Sequence, residues 1–156
     1  MNLKERKEAF VKLGAELKDL VHGNNAQQNN KRITFKKNLE RAYRRNPWFI
    51  EAHVLQALSA VAESLEKTRM DKWLDNYRDD LDKSSSQQKV AVVLAGNIPA
   101  VGFHDFMCVL ISGHFFLGKL SSQDNVLLPL LSDLLTEIEP RFCSRIEFTE
   151  GMLKDF

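Results

Sequence analysis

The chain has 156 residues, which is enough for one domain around a single hydrophobic core. Hydrophobic residues make up 44% of it and charged residues 28%, a composition that excludes disordered and fibrous proteins. The formal net charge of +1 gives no sign of a chain built to bind nucleic acid. No apolar stretch approaches the roughly 18 residues of a membrane span, and no signal-peptide pattern opens the chain. We therefore expect a cytoplasmic protein without a membrane span.

The first part of the chain has the apolar spacing of helices. Hydrophobic residues recur every three or four positions in four segments, at about 3–21, 33–45, 48–66 and 69–81. A polar, amide-rich stretch (22–30) separates the first two segments, and Pro47 separates the next two because it disfavours helix at Asn46. These patterns predict a helical N-terminal region over residues 1–82.

After the polar, Ser-rich stretch 82–89 the pattern changes to alternating strands and helices. Short apolar runs bounded by turn residues predict strands at 90–95, 114–120 and 144–149. Helical spacing lies between them, at 101–112 and 125–138. This order is typical of a parallel βαβαβ unit, and the continuous apolar run 90–95 predicts a strand covered on both faces.

The fold class expected from these elements is α/β. The helical region is followed by a partial, Rossmann-like parallel sheet in residues 83–156, packed with it as one domain. Three parallel strands make a narrow sheet whose edges leave backbone groups unpaired. We therefore expect self-association through an exposed sheet edge, or pairing with a further part of a longer protein.

Two turns follow the first two predicted strands, "AGNIP" (95–99) and "LGKLSSQD" (117–124). Open parallel sheets bind ligands at the carboxyl ends of their strands, where both turns would lie. Lys119 and the hydroxyl groups of Ser121 and Ser122 suit ribose or phosphate oxygens. Neither GxGxxG nor GxxxxGK(S/T) is present, so the residues leave a nucleotide crevice and ordinary turns equally open.

The stretch 31–45 contains seven Lys or Arg residues and one Glu, and such a face could hold phosphate groups. Its apolar residues fall on a separate stripe of the helix, so its aromatic residues belong to a core and not to a stacking platform. The favoured interpretation is a solvated helix surface, and we expect no nucleic-acid partner.

The histidines and cysteines give little support for a metal site or a nucleophile. His104 and Asp105 are adjacent and point about 100° apart on a helix, and His114 has no acidic partner at a fixed offset. Cys108 lies on the apolar side of its helix, which predicts a buried, inert thiol, whereas Cys143 is expected to be exposed. We predict no metal site and no disulfide scaffold.

The segment "VAVVLAGNIPAVGFHDFMCVLISGHFFLGKLSSQDNVLLPLL" (90–131) resembles the fatty acyl-CoA reductases of the bacterial bioluminescence type. These acyl-protein thioester reductases are similar to the aldehyde dehydrogenase superfamily. The superfamily motif P-W-N-F-P matches residues 95–99, and its K-P-(A/S)-E motif matches residues 119–122. The resemblance is strongest over 89–156, and "NPWFIEAHVLQAL" and "MDKWLDNY" extend it over most of the chain.

The resemblance implies a role for each matched residue. Asn97 falls at the oxyanion position, where a side-chain amide stabilises the charge that develops on the thioester oxygen. The implied cofactor-binding residues are Leu94, Gly96, Lys119, Ser121 and Ser122. Lys119 falls at the lysine that contacts the adenosine ribose, and Ser122 replaces the acid that holds the ribose 2′-hydroxyl. Loss of that carboxylate removes repulsion toward a 2′-phosphate, so the implied cofactor is NADPH or NADH.

The activity implied is reduction of an acyl-CoA or acyl-protein thioester to an aldehyde through a cysteine thioester. The superfamily's nucleophilic cysteine lies downstream of these motifs, and neither Cys108 nor Cys143 occupies a matching place. The resemblance therefore implies the N-terminal, cofactor-binding part of such an enzyme, inactive by itself. The alternative is a stand-alone α/β interaction or regulatory module without catalytic activity.

Overall fold

The computed structural model describes residues 1–23, 30–77, 81 and 86–153. Within these residues the helices are α1 (Leu3–His22), α2 (Asn30–Arg45), α3 (Glu51–Ser64), α4 (Lys67–Leu74), α5 (Phe103–Ile111), α6 (Leu127–Ile138) and a 3-10 helix (Pro140–Arg145). The strands are β1 (Lys89–Val93), β2 (Phe115–Lys119) and β3 (Ile146–Thr149). The predicted boundary between residues 82 and 83 lies outside the described residues, as does most of the amide-rich stretch 22–30.

A helix lies at each predicted position, although α4 ends at Leu74 and does not continue to residue 81 as predicted. The α1 helix begins with a capping box, in which the Asn2 side chain accepts from the Glu5 backbone N–H (2.9 Å) and the Glu5 carboxylate accepts from the Asn2 N–H (2.8 Å). The α3 helix begins at Glu51 and not at residue 48, because Pro47 and Trp48 form a turn before it. No helix in the described parts of the chain is long and apolar enough to cross a membrane.

The three strands form one parallel sheet in the order β1-β2-β3. In the register, Val93 of β1 pairs with Lys119 of β2, and Lys119 pairs with Thr149 of β3. The parallel βαβαβ unit predicted from the alternating pattern is therefore confirmed. The third strand is shorter than predicted because a 3-10 helix runs from Pro140 to Arg145, and the carboxylate of its N-cap residue Glu139 accepts the Arg141 N–H (3.2 Å).

The prediction that the first strand is covered on both faces is wrong. Side chains alternate between the two faces of a strand, and Val92 packs against the core whereas Val93 is 71% exposed. The strand lies at an edge of the sheet, so its apolar run is only half buried. On the outer face, Lys89 forms a 3.2 Å salt bridge with Glu147.

A cluster of aromatic rings joins the helical region to the sheet. Phe10 of α1 is fully buried, and its ring centroid lies 6.4 Å from that of Phe103, 6.4 Å from that of Phe106 and 5.8 Å from that of Phe142. Phe106 in turn contacts Phe116 of β2 at 5.1 Å. These edge-to-face contacts make one continuous core out of both halves of the chain.

Candidate functional site

The candidate site lies at the carboxyl edge of the sheet, where two loops emerge side by side. We call residues 94–102 the first loop and residues 120–126 the second loop; they follow β1 and β2. The sheet ladder continues one residue into each loop: the Leu94 N–H donates to the Lys119 carbonyl (2.9 Å) and the Leu120 N–H to the Thr149 carbonyl (2.8 Å). Parallel pairing therefore places both loops on one edge, as the sequence predicts.

Gly96 is the point at which the two loops touch. It is buried, and a Cβ added there would lie 2.8 Å from Ser121 Cβ, 2.9 Å from Gln123 Cβ and closer still to Ser121 Oγ. Any side chain at this position would push the loops apart, so the absence of a Cβ is what permits the close approach. The structure thus brings two of the predicted site residues, Gly96 and Ser121, into direct contact.

The carboxyl end of α2 ties both loops in place. The Asn46 side chain, only 3% exposed, donates from Nδ2 to the Gly96 carbonyl (2.8 Å) and accepts the Trp48 N–H at Oδ1 (3.0 Å). The neighbouring Arg45 Nε donates to the Ser122 carbonyl (3.2 Å). The sequence predicted neither contact: Arg45 was part of the basic stretch 31–45, and Asn46 was a polar residue directly before a proline, which predicts a turn but no partner.

Asn97, the predicted oxyanion residue, is exposed, and the described part of the chain provides no hydrogen-bond partner for its side chain. The first loop leads from it into the amino terminus of α5, where helix dipoles favour negative charge. Ala100, in the same loop, has a φ of 56°, the left-handed region that costs an alanine about 1 kcal/mol. Such strained backbone is common at binding sites, where the surrounding structure holds it.

The predicted cofactor-binding residues differ in their exposure and in their contacts. Lys119 is half-buried at the end of β2, and Ser122 is exposed. The Ser121 hydroxyl oxygen accepts the Gln123 N–H (3.1 Å). The Leu94 side chain, by contrast, is 8% exposed and lies against Gly102, so it supports the first loop from the core side. The buried Leu94 side chain is therefore not available to line a cofactor cleft.

Asp124, which the sequence analysis did not single out, fixes the end of the second loop. Its Oδ1 accepts the backbone N–H groups of the N-cap residue Val126 (3.2 Å) and of Leu127 (3.1 Å), and so it caps the start of α6 from two residues before the N-cap. Burial raises the pKa of the Asp124 carboxyl, and the two backbone hydrogen bonds oppose that rise. The signal in the sequence was an Asp just before a Leu-rich helical pattern.

Substitutions at Asp124 are expected to separate its capping role from its charge. Asp124→Asn keeps the acceptor, whereas Asp124→Ala removes it and is expected to lower the free energy of unfolding by about 1 kcal/mol. Because the folded-state pKa is raised, the protonated form stabilises the fold, and that contribution is lost as the pH rises through the folded pKa. The Asn variant should therefore be at least as stable as the wild type near neutral pH, and its advantage should shrink toward about pH 4 in urea unfolding. An Asn variant that matches the Ala variant would contradict the capping role.

A groove beside the second loop is lined by Arg41, Arg44, Arg45, Asn125 and Val126, with a volume of about 320 Å³. We call it the arginine groove. Arg44 forms an exposed ion pair with Glu40 (3.6 Å). The arginines of this last turn are exposed, as a solvated helix surface would be, and the fold places them beside a predicted site loop.

A second cavity, of about 340 Å³, lies along α5 and is mostly apolar. Its lining residues are Trp73, Leu74, Tyr77, Leu81, His104, Cys108, Ile111 and Ser112. The Cys108 sulfur lies 3.5 Å from His104 Nε2. Burial, and then the negative charge of Asp105, raises the pKa of the Cys108 thiol, so the thiol stays protonated and weakly nucleophilic near neutral pH.

The histidines considered for a metal site do not meet. His104 is in the first turn of α5, whereas His114 follows its end and accepts the Gln88 N–H at Nδ1 (3.2 Å). Across residues 1–23, 30–77, 81 and 86–153, no three His, Cys, Asp or Glu side chains are grouped as metal ligands. Cys143 is exposed, as predicted, and both cysteines are free thiols.

Comparisons with family models, with curated proteins and with solved structures find no match to this chain.

Proposed function

We propose that residues 1–156 form the cofactor-binding and oxyanion-stabilising part of an NAD(P)H-dependent acyl-thioester reductase that produces an aldehyde. In this proposal the three strands belong to a Rossmann-like cofactor sheet of the aldehyde dehydrogenase type. The nucleophilic cysteine comes from residues outside this sequence. The observation that carries the proposal is the sheet edge at which Lys119 ends β2 and Asn97 follows β1, where the first and second loops touch at Gly96 and Ser121.

The chemistry proposed for Asn97 is stabilisation of negative charge. When a thiolate attacks a thioester, the carbonyl oxygen gains charge, and a side-chain amide donor placed there lowers the barrier. The free amide of Asn97 supports this role, because no other described residue competes for its N–H groups. The first loop also leads into the amino terminus of α5, whose dipole favours negative charge.

The residues at the end of β2 and in the second loop suit the ribose end of a dinucleotide. Lys119 offers a cation, and Ser121 and Ser122 offer hydroxyl groups that can each donate and accept. A bound nicotinamide cofactor would supply the hydride; the protein's contribution at this end is to hold and orient it. The side chain of Lys119 forms no ion pair within the described residues, so its charge is available to a ligand.

The proposal predicts that the chain binds NADPH and that Lys119→Ala weakens the binding about tenfold, since a charge-assisted hydrogen bond is lost. Isothermal titration calorimetry on the folded chain measures this. The matched control is Lys89→Ala, which removes a lysine from the same sheet face at the opposite, amino end of β1. That variant should bind NADPH as the wild type does.

Two results would contradict the proposal. One is the absence of NADPH and NADH binding at millimolar cofactor, which would leave the edge without its proposed ligand. The other is aldehyde production from acyl-CoA by residues 1–156 that is lost in Cys143→Ser, which would place the nucleophile within this sequence.

A second candidate function is an interaction module, and exposed apolar side chains favour it. Val93 (71% exposed), Ile98 (54%) and Val101 (42%) present such surface at the β1 edge and the first loop. A sheet edge of this kind supports pairing with a second copy or with a further part of a longer protein. Concentration-dependent sedimentation without any dinucleotide binding would favour this candidate over the reductase.

A further inference from the structure

We propose that the arginine groove binds a phosphate monoester carried on the ribose of an adenosine-containing ligand. This inference rests on the proposed function, because it takes the second loop to hold that ribose. It adds a role for Arg41, Arg44 and Arg45, and it makes the groove the element that selects a phosphorylated ligand over its unphosphorylated analogue.

The groove is joined directly to the proposed ribose site. Arg45 donates from Nε to the Ser122 carbonyl (3.2 Å), so the carboxyl end of α2 lies against the second loop. Asn125 and Val126, three and four residues beyond Ser122, form the other wall. A ligand whose ribose contacts Ser121 and Ser122 would therefore bring a substituent of that ribose toward the groove.

Most of the positive charge in the groove is not paired with a carboxylate of the described residues. Within the described residues Arg41 and Arg45 form no ion pair, and Arg41 donates only to the Asn38 side-chain oxygen (3.2 Å). The pair between Arg44 and Glu40 is exposed and long, so it holds the guanidinium weakly. Guanidinium groups match phosphate oxygens with paired N–H donors, and a phosphate dianion would neutralise this cluster.

The helix terminus next to the groove is not the anion site. The backbone N–H groups of Val126 and Leu127 are already bound by the Asp124 carboxylate. The Asn125 amide donates to Glu150 (2.7 Å). Binding of an anion therefore depends on the arginine side chains, which makes the proposal testable by substitution at α2 alone.

The experiment measures the affinity of the 156-residue chain for NADPH and NADH by calorimetry. The test variant is Arg41→Gln/Arg44→Gln, and the matched control is Lys36→Gln/Lys37→Gln, which removes two exposed positive charges of the same helix that do not line the groove. We expect NADPH to bind about tenfold more tightly than NADH in the wild type and in the control. The arginine variant should lose that preference while its affinity for NADH stays unchanged, and circular dichroism confirms that it is folded.

Two smaller ligands identify the source of the phosphate. Adenosine 2′,5′-bisphosphate carries the phosphate of NADPH, and adenosine 3′,5′-bisphosphate carries that of coenzyme A; adenosine monophosphate lacks both. Tighter binding of the 2′-phosphate compound assigns the groove to the dinucleotide, and tighter binding of the 3′-phosphate compound assigns it to the thioester substrate. In either case, raising the salt concentration should weaken the binding of the preferred compound more than the binding of adenosine monophosphate.

The failures of the two proposals are distinguishable. If NADPH and NADH bind equally, the arginine variant changes neither, and adenosine 3′,5′-bisphosphate binds no more tightly than adenosine monophosphate, the groove has no such role, although the proposed cofactor site stands. If neither bisphosphate binds more tightly than adenosine monophosphate, the inference is likewise overturned. If neither dinucleotide binds at all, the proposed function and the inference fail together.

Discussion

Asn46→Asp is expected to lower the free energy of unfolding by about 3 kcal/mol or more near neutral pH. The substitution replaces the Nδ2 donor with a carboxylate oxygen that faces the Gly96 carbonyl at a site only 3% exposed. A buried charge is then left against a carbonyl oxygen, and only the bond from the Trp48 N–H remains. Urea unfolding followed by circular dichroism measures the loss.

The pH dependence of this variant distinguishes the lost donor from a general packing defect. Burial raises the pKa of a carboxyl group, and a protonated Asp can donate to Gly96 again, so the deficit should shrink as the pH falls. Asn46→Ala, the control, removes both hydrogen bonds and should lose about 2 kcal/mol at every pH. An Asp variant as stable as the wild type at neutral pH would show that Asn46 does not hold the first loop.

Phe10→Ala is expected to destabilise the protein by about 3–5 kcal/mol, because it empties a fully buried ring site in the core. The ring contacts α5 through Phe103 and Phe106 and the 3-10 helix through Phe142. It therefore links the helical region to the α/β unit, and its loss should lower the stability of both together. Thermal and urea unfolding monitored by near- and far-ultraviolet circular dichroism should each show one transition, shifted by the same amount.

Phe10→Leu is the graded control for this prediction. It keeps much of the apolar volume and should lose about 1 kcal/mol, well below the alanine variant. Two separate transitions in the wild type, only one of them moved by Phe10→Ala, would contradict a shared core and show that residues 1–82 and 83–156 fold independently.

The sequence predicted the elements of this fold well because their signals are local. The 3.6-residue spacing of Phe10, Leu13 and Leu17 identifies α1, and short apolar runs between turn residues identify the strands. The order of strands and helices was enough to predict a parallel sheet, since parallel strands need crossover connections. The burial of each strand was harder to predict, because the apolar run 90–95 does not reveal that its strand lies at an edge of the sheet.

The candidate site was predictable only in part, because local signals place residues along the chain but do not report what packs against them. Asn97 and Lys119 both follow or end predicted parallel strands, and this position along the chain is sufficient to place them at one edge of the sheet. The inward orientation of the Leu94 side chain depends on what packs against it, and no pattern in the sequence reports that.

Local patterns were sufficient for the types and order of the elements and for the presence of two polar loops after parallel strands. The packing of the elements was needed to reveal that α2 ends against those loops, through Asn46 and Gly96, 50 residues apart, and through Arg45 and Ser122, 77 residues apart. The same packing turns the end of a basic helix into a groove. Periodicity reports which face of an element is apolar, whereas a contact between distant polar groups depends on how the packed elements meet.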